Sequence, residues 1–177
     1  MPNYRRAWMP GGTYFFTINL LQRKPNDLLV HNINNFRAAV RNVLLRHPFT
    51  IHGWVVLPDH FHCLITLPQN DTNFALRWRL IKGGFSKSIP HTEWQSKSRM
   101  KRGGRGIWQR RYWEHMIRDE RDFSAHMDYI HINPVKHGLV KQVVDWPYST
   151  FHRLVDQGVY DNNWAGSSEA DTLEYAD

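Results

Sequence analysis

The stretch TIHGWVVLPDHFHCLITL, residues 50–67, decides which fold this chain can adopt. Its two halves, residues 50–57 and about 60–67, are rich in β-branched and aromatic side chains, which favour strands. Pro58-Asp59 lies between the halves, and both residue types are typical of tight turns. Because so short a connection joins only neighbouring strands of opposite direction, the stretch predicts an antiparallel hairpin.

Further elements are predicted on both sides of this hairpin. Gly11-Gly12 precedes an aromatic and β-branched run at residues 13–20, which reads as a strand. Helical spacing of apolar residues predicts helices over 32–46, 73–87 and 119–133, the last ended by Pro134. A further strand is expected within 108–117, after a polar, glycine-containing loop at 90–106.

This order of elements predicts an α+β fold. We expect a ferredoxin-like antiparallel sheet with helices packed on one face. Residues 1–166 are predicted to form a single domain, and residues 167–177 an acidic, flexible tail.

Two histidines flank Phe61 on the second strand of the predicted hairpin. Side chains alternate along a strand, so His60 and His62 point to one side and Phe61 points to the other. Paired imidazoles are a common metal-ligand arrangement. A His-x-His pair also arises by chance in a chain with 11 His, so alone it is a weak signal.

The predicted helix over 119–133 carries a polar stripe. At 100° per residue, Asp122, His126, Tyr129 and Asn133 share one side of it. A phenol can cleave a phosphodiester if the phosphorus is made more electrophilic, and a divalent cation held by His60, His62 and the Asn133 oxygen would do so. The alternatives are a packed tyrosine and an asparagine that marks the helix end.

Charge points to a polyanionic partner. Residues 77–111 contain eleven Lys or Arg and one acid, Glu93, so this stretch carries a formal charge of +10. The net charge of the chain is +7, so the other residues sum to −3. A concentrated basic stretch suits nucleic acid, because neutralising phosphates releases counterions. The alternative is a solvated basic loop. We expect phosphate contacts from Arg77, Arg79 and Lys82. Trp78, which lies among them, is expected to be in the core.

Several classes of protein are disfavoured. Cys63 is the only cysteine, which excludes an intramolecular disulfide and a thiolate-rich zinc site. The first twelve residues lack the apolar run of a signal peptide, and no stretch approaches about 20 apolar residues, as a membrane span requires. A cytoplasmic protein without a membrane partner is expected.

These motifs resemble a known family. VVLPDHFH at 55–62 resembles the His-hydrophobic-His signature of HUH nucleases. DYIHINPVKHG at 128–138 resembles the tyrosine helix of REP-associated tyrosine transposases, which are relatives of the single-tyrosine insertion-sequence transposases. YRR at 4–6, GGTYFF at 11–16, WQ and YWEH within 108–115 and DWPYSTFHR at 145–153 also match, so the resemblance runs from about residue 4 to residue 166.

The resemblance implies a ferredoxin-like fold, a Mg²⁺ or Mn²⁺ cofactor and a 5′-phosphotyrosine intermediate with release of a 3′-hydroxyl. The family's substrates are single-stranded repetitive extragenic palindromes (REP) folded as hairpins, with a short guide sequence at the foot of the stem. By the family pattern Tyr129 is the nucleophile, His60 and His62 are ligands, and Asn133 is the third ligand. Tyr112 is a rival nucleophile, but position 116 is Met, so it lacks a ligand four residues on.

The resemblance also implies DNA contacts. Arg5, Arg6 and the turn at Gly12 are expected to contact guide bases, although a basic terminus also occurs without any such role. Arg110 and Arg111 are expected to grip the hairpin stem. His126 lies on the same stripe as Tyr129 and is expected to support the site from outside the ligand set or to contact DNA. His131 is expected to face away from the site, and Asp59 to shape the turn.

Two other functions remain open at this point. One is a hairpin-binding protein that does not cut, and the other is a metal-dependent nuclease that uses water as the nucleophile. The resemblance favours a monomer, and a dimer stays possible because insertion-sequence relatives are dimers. A bacterial protein of this kind is also expected to associate with the nucleoid. The acidic tail is hypothesised to compete with DNA for the basic surface.

Overall fold

An antiparallel sheet forms the centre of the molecule, in a computed structural model that describes residues 8–23, 25–91, 105–167 and residue 173. Among these residues the sheet has four strands, namely β1 (Thr13–Asn19), β2 (Thr50–Val56), β3 (His60–Thr66) and β4 (Trp113–Met116). Their order is β2-β3-β1-β4, and all neighbours are antiparallel. The predicted hairpin is therefore confirmed as β2 and β3.

Helices connect and cover these strands. Short α1 (Leu28–His31) and long α2 (Ile33–Arg46) lie between β1 and β2, and α3 (Phe74–Ser88) lies between β3 and β4. After β4 come α4 (Glu120–Lys136), a 3₁₀ turn (Val143–Asp145) and α5 (Phe151–Asp156). A crossover helix between β1 and β2 and another between β3 and β4 give the ferredoxin-like arrangement, so the expected α+β class is confirmed.

The two faces of the sheet have separate cores. Tyr14, Phe16 and Phe61 pack with α2 and α3 on one face, while Phe15 and Leu64 pack with α4 and α5 on the other. The expectation of helices on one face describes α2 and α3 but not α4. The second layer forms because the alternate residues of β1 and β3 are buried as well, and only another element can cover them.

Helix α4 begins and ends differently from its prediction. Asp119 caps its first turn by accepting a hydrogen bond from Asp122 N at 2.9 Å. Pro134 does not stop the helix: it removes one backbone donor, and the helix continues until Lys136. The end comes at Gly138, which adopts φ +68°. This left-handed position favours glycine and terminates helices.

Two other boundaries differ from expectation. Of the strand expected within 108–117, only β4 forms, while Trp108 makes an isolated bridge to Leu20. Most of the loop expected over 90–106 lies outside the described residues, as does most of the tail. In the described part of the chain no helix has both the length and the apolar character needed to cross a membrane.

Candidate active site

The histidine pair lies at the centre of the sheet, on the face covered by α4. His60 and His62 alternate with Phe61 on β3 as predicted, and their rings are 4.9 Å apart. In the register with β1, His62 lies opposite Thr17, whose hydroxyl is 2.8 Å from His62 Nδ1. This bond fixes the imidazole and directs Nε2 away from the strand.

A carboxylate and a guanidinium orient the other histidine. His60 Nδ1 lies 2.7 Å from Asp59 Oδ1, and Arg23 Nε donates to Asp59 Oδ2 at 2.7 Å. Burial alone would raise the pKa of Asp59, but the hydrogen bonds from His60 and Arg23 outweigh it and lower that pKa to about 2. The ionised carboxylate holds the Nδ1–H tautomer of His60, and therefore Nε2 carries the lone pair.

These partners of His60 were missed at the level of sequence. Asp59 was expected only to shape the turn, yet it makes the carboxylate–histidine contact typical of metal sites. Arg23 precedes α1 and gave no signal, because nothing local relates residue 23 to residue 59. Burial, the largest cause, lowers the pKa of His60, which keeps the imidazole neutral and able to bind a metal at neutral pH.

Asn133 supplies the third candidate ligand from α4. It is fully buried, and neither its Oδ1 nor its Nδ2 has a hydrogen-bond partner among the described residues. His60 Nε2 is buried and lacks a partner in the same sense. Leaving buried polar atoms unpaired costs about 1–3 kcal/mol each, so such atoms are normally satisfied by a ligand or water. This donor set fits a divalent cation.

Tyr129 lies next to the histidines. Its ring is 5.3 Å from that of His62, and its side chain is buried at 2% exposure. The Lys136 ammonium lies 5.4 Å from the centroid of the same ring. Sequence reasoning missed Lys136, although seven residues make nearly two helical turns and so place it on the stripe of Tyr129.

The rival tyrosine is on the opposite face of the sheet. Tyr112 packs against the core formed with α2 and α3, with its ring 5.9 Å from Phe16. Phe16 and His62 point to opposite sides, because Phe16 belongs to that core and His62 faces α4. Of these two tyrosines, Tyr129 is therefore the one placed beside the histidine pair.

A second cluster, formed by β4 and the first two turns of α4, contains His115, Asp122 and His126, whose candidate ligand atoms lie within 4.8 Å of one another. The Asp122 carboxylate is already bound by His115 Nε2 at 2.8 Å and by Arg118 Nε at 3.2 Å. Because the Arg118 guanidinium contacts the same carboxylate, it would repel a cation bound there. The cluster therefore fits an internal hydrogen-bond network better than a metal site.

His126 and His131 flank the tyrosine along α4. The ring of His126 packs on Phe15 at 4.9 Å, and burial is the main cause that lowers its pKa to about 4. Phe15 in turn stacks on His62 at 5.6 Å, so His126 contacts the site through Phe15. Its role as a supporting group or DNA contact stays a prediction. His131 faces away as predicted, with Nε2 3.0 Å from Thr150 Oγ1.

The structure contradicts the predicted phosphate contact of Arg77. This side chain is 1% exposed, and its guanidinium donates to the carbonyls of His47, Pro48 and Asn73 and to Asp71. Arg77 therefore ties the end of α2 to the start of α3. The charge pattern could not distinguish it from a surface arginine, because its partners are carbonyls that any residue carries. Trp78 is in the core, as expected.

The remaining basic candidates have different settings. Lys82 donates to Gln109 O at 2.9 Å, and burial lowers its pKa to about 8. This bond joins α3 to the segment before β4. Arg79, Arg110 and Arg111 are exposed and can still bind phosphate.

The turn before β1 has a structural role. Gly12 is buried and its N–H donates to Met9 O at 3.0 Å. Its contact with DNA stays a prediction. A Cβ at this position would lie 2.8 Å from the Tyr14 ring, which is why glycine is required. Arg5 and Arg6 lie outside the described residues.

The sheet carries a histidine pair on the central strand β3, and the helix that contains Tyr129 packs over this pair. The family model described as "Transposase IS200 like" matches residues 22–133, which is more than half of the chain. The chain belongs to this family, and within it to the REP-associated tyrosine transposases, as its relatives show.

Two relatives match almost the whole chain. It is 48% identical to the "REP-associated tyrosine transposase" of Escherichia coli (strain K12) over 94% of this chain and 92% of that protein. It is 46% identical to the "Putative REP-associated tyrosine transposase" of Haemophilus influenzae, over 96% of each chain.

A solved structure is similar as well. The "Structure of the REP associates tyrosine transposase bound to a REP hairpin" superimposes with a TM-score of 0.81 at 47% identity, over 94% of this chain and 93% of that one. At that identity and TM-score the two proteins share the same fold over the 94% of this chain that is covered.

Proposed function

We propose that this protein is a single-strand DNA transposase that cuts with Tyr129 as the nucleophile. Its substrate is a REP-type palindrome folded as a hairpin, since a solved relative is described as bound to a REP hairpin. The observation that carries the proposal is the convergence of Tyr129 with His62 on one face of the sheet, at 5.3 Å between rings.

A divalent cation, Mg²⁺ or Mn²⁺, is the proposed cofactor. His60 and His62 would hold it through Nε2 and Asn133 through Oδ1. His60 Nε2 and Asn133 Oδ1 are buried atoms with lone pairs that lack hydrogen-bond partners among the described residues. When bound, such an ion polarises the scissile phosphate as a Lewis acid. Asp59 and Thr17 keep the two imidazoles oriented for this task.

The chain's own groups carry the bond changes. Tyr129 Oη attacks the phosphorus, an Oη–P bond forms, and the bond from phosphorus to the 3′ oxygen breaks. The phenol proton leaves to solvent, and the released 3′ oxygen takes up a proton to become a hydroxyl. The 5′ end stays on Tyr129 as a phosphotyrosine, which a 3′-hydroxyl can later attack to rejoin the strand.

Charged groups in several parts of the molecule favour binding of the DNA backbone. Lys136 places an ammonium 5.4 Å from the phenol ring. Exposed Arg79, Arg110 and Arg111 provide further cations for the DNA backbone, consistent with the basic stretch that contains them. Sequence specificity would come from contacts to bases, for which Arg5 and Arg6 remain the proposed residues.

A two-label cleavage assay tests the proposal. A single-stranded REP-type hairpin with unpaired flanks is labelled at the 3′ end or at the 5′ end and incubated with Mn²⁺ or with EDTA. We expect the 3′-labelled strand to run as a protein adduct on a denaturing gel, and the 5′-labelled strand to run as a shorter free fragment. Both products should vanish in EDTA.

The matched variants are Tyr129→Phe and Tyr112→Phe. Tyr129→Phe should abolish the adduct, a loss of at least about 10³-fold, because no other group there replaces the nucleophile. Tyr112→Phe should keep the adduct, because its ring lies on the other face. Cleavage without an adduct would identify a hydrolytic nuclease, and binding without cleavage would identify a silent hairpin-binding protein.

A further inference from the structure

A groove lies at the β2 edge of the sheet, away from the histidine pair. It has a volume of about 320 Å³, which is within the range of sites that hold small molecules. One wall is α2, the floor includes Trp54 on β2, and the other wall is the segment around Tyr148 that precedes α5.

The walls of this groove are held in place by hydrogen bonds. Val56 N donates to Tyr148 O at 2.8 Å, and Thr150 N donates to Trp54 O at 2.8 Å. Thr150 Oγ1 also accepts from Trp54 N at 2.8 Å. A groove with such fixed walls can bind a ligand without first being ordered, which lowers the entropic cost of binding.

The groove combines an apolar surface with three cations. Phe36 and Trp54 are buried at 1% and 7% exposure and belong to its floor, so the accessible ring is that of half-buried Tyr148. No Asp or Glu is among the described residues that line the groove. Arg37 and Arg41 are four residues apart on α2, so they are neighbours on the helix surface. Arg153 faces them from α5, and all three arginines are exposed.

These arginines retain donors for a ligand. Arg153 Nη2 donates to the carbonyls of Ile51 and His52 at 3.2 and 3.0 Å. Arg37 Nη2 makes a long contact of 3.5 Å with Pro147 O. A guanidinium has five N–H groups, so each retains several for phosphate.

We infer that this groove binds an unpaired nucleotide of the DNA, with its base against Tyr148 and the apolar floor, and its phosphates on Arg37, Arg41 and Arg153. Aromatic platforms rimmed by arginine are how proteins hold single strands. A neutral apolar partner would leave three cations partly desolvated and unpaired, which disfavours it. The inference rests on the proposed function, since it assumes a hairpin with single-stranded flanks.

Binding without cleavage provides the test. Fluorescence anisotropy in EDTA compares a labelled hairpin that carries unpaired flanks with the same hairpin lacking them. Arg37→Gln with Arg41→Gln should weaken binding of the flanked hairpin by roughly tenfold, because the loss of two single-strand phosphate contacts lowers the magnitude of the salt slope by about 1.4. Binding of the flankless hairpin should change by less than about twofold.

Arg46→Gln is the matched control, because Arg46 is exposed on α2 but lines a different depression. It should leave both affinities within about twofold. Equal losses for the two hairpins, or equal losses in the double variant and in the control, would overturn the inference. In the unmodified protein, a flank containing 5-iododeoxyuridine should photo-crosslink to the peptide that contains Tyr148, and crosslinks found only elsewhere would overturn it too.

The outcomes separate this inference from the proposed function. If cleavage fails but flanked hairpins lose affinity in the double variant, the groove assignment stands and the nucleophile assignment fails. If cleavage occurs through Tyr129 and the double variant binds normally, the groove assignment alone fails. If an acidic peptide, but not oligodeoxythymidylate, displaces the flanked hairpin's crosslink, the groove accepts protein and the inference is wrong.

Discussion

The two faces of the sheet use the same strands for opposite purposes. Toward α2 and α3, β1 and β3 present Phe16 and Phe61, which contact Trp78 at 4.9 and 6.0 Å between ring centroids. Toward α4 they present Thr17 and His62, joined by a hydrogen bond. One face is an aromatic core, whereas the other buries polar groups among apolar ones.

This difference shows how a small protein combines stability with a reactive site. Burying an aromatic side chain stabilises the fold, whereas burying an unpaired amide destabilises it. Asn133 is a buried residue of the second kind, and α4 holds it there through apolar neighbours such as Ile130 and Ile132. The aromatic face stabilises a sheet whose other face is free to carry chemistry.

The largest effect is expected on the aromatic face. Phe16→Ala removes a fully buried ring that contacts Phe74 and Trp78, and it should cost about 3–5 kcal/mol of unfolding free energy. Urea unfolding measures this loss. The extra stability gained on adding Mn²⁺ should stay as in the wild type, and a loss of that gain would show that the faces are not independent.

On the face toward α4, the opposite sign is expected for Asn133→Leu. Replacing a buried amide that lacks partners by an alkyl group of similar size should raise metal-free stability by about 1–2 kcal/mol. It should also remove most of the roughly 2.7 kcal/mol that Mn²⁺ adds at 100 times the wild-type Kd.

Thermal or urea unfolding with and without Mn²⁺ checks both parts of that prediction. The control is Asn42→Leu, since Asn42 is exposed on α2. If Asn133→Leu destabilises the metal-free protein and keeps the full Mn²⁺ response, Asn133 is not a ligand.

A smaller effect is expected for Asp59→Asn, which weakens the support of His60. Without the carboxylate on Nδ1, affinity for Mn²⁺ should fall about 10–100-fold, as measured by calorimetric titration. Asp71→Asn is the matched control, because Asp71 pairs with Arg77 rather than with a histidine of the site. That control should lower stability without changing metal affinity; equal affinities for all three proteins would contradict the role of Asp59.

The smallest effect concerns acid. Burial is the main cause that lowers the pKa of His131 to about 3, so between that value and the ordinary 6.5 the unfolded chain binds more protons than the folded one. Stability therefore falls as pH drops below 6.5, by about 1.5 kcal/mol from this residue between pH 6.5 and 5.

His131→Gln should remove that part of the decline, even though it lowers stability at pH 7. Urea unfolding at pH 6.5 and 5 measures the difference. His31→Gln, which changes an exposed histidine, should decline like the wild type. An unchanged decline in His131→Gln would assign the acid sensitivity to other groups.

Local periodicity accounts for what could be predicted from the sequence. The alternation along a strand places His60 and His62 on one side whatever surrounds them, and the helical repeat places Tyr129 and Asn133 on one stripe. These two patterns, with the hairpin at residues 50–67, were enough to predict two strands of the sheet, the helix that contains Tyr129 and the candidate site residues. That the two patterns face each other was an expectation from resemblance, and the packing of α4 on the sheet supports it.

Only the tertiary structure decided which of several chemically similar residues does what. Arg77 and Arg79 are two residues apart, yet one is buried among carbonyls and the other is exposed. The contact of Arg23 with Asp59 and the groove beside Arg41 join segments that are far apart in sequence. Periodicity reports only the residue's own backbone, whereas burial and partners depend on segments that folding brings together from elsewhere in the chain.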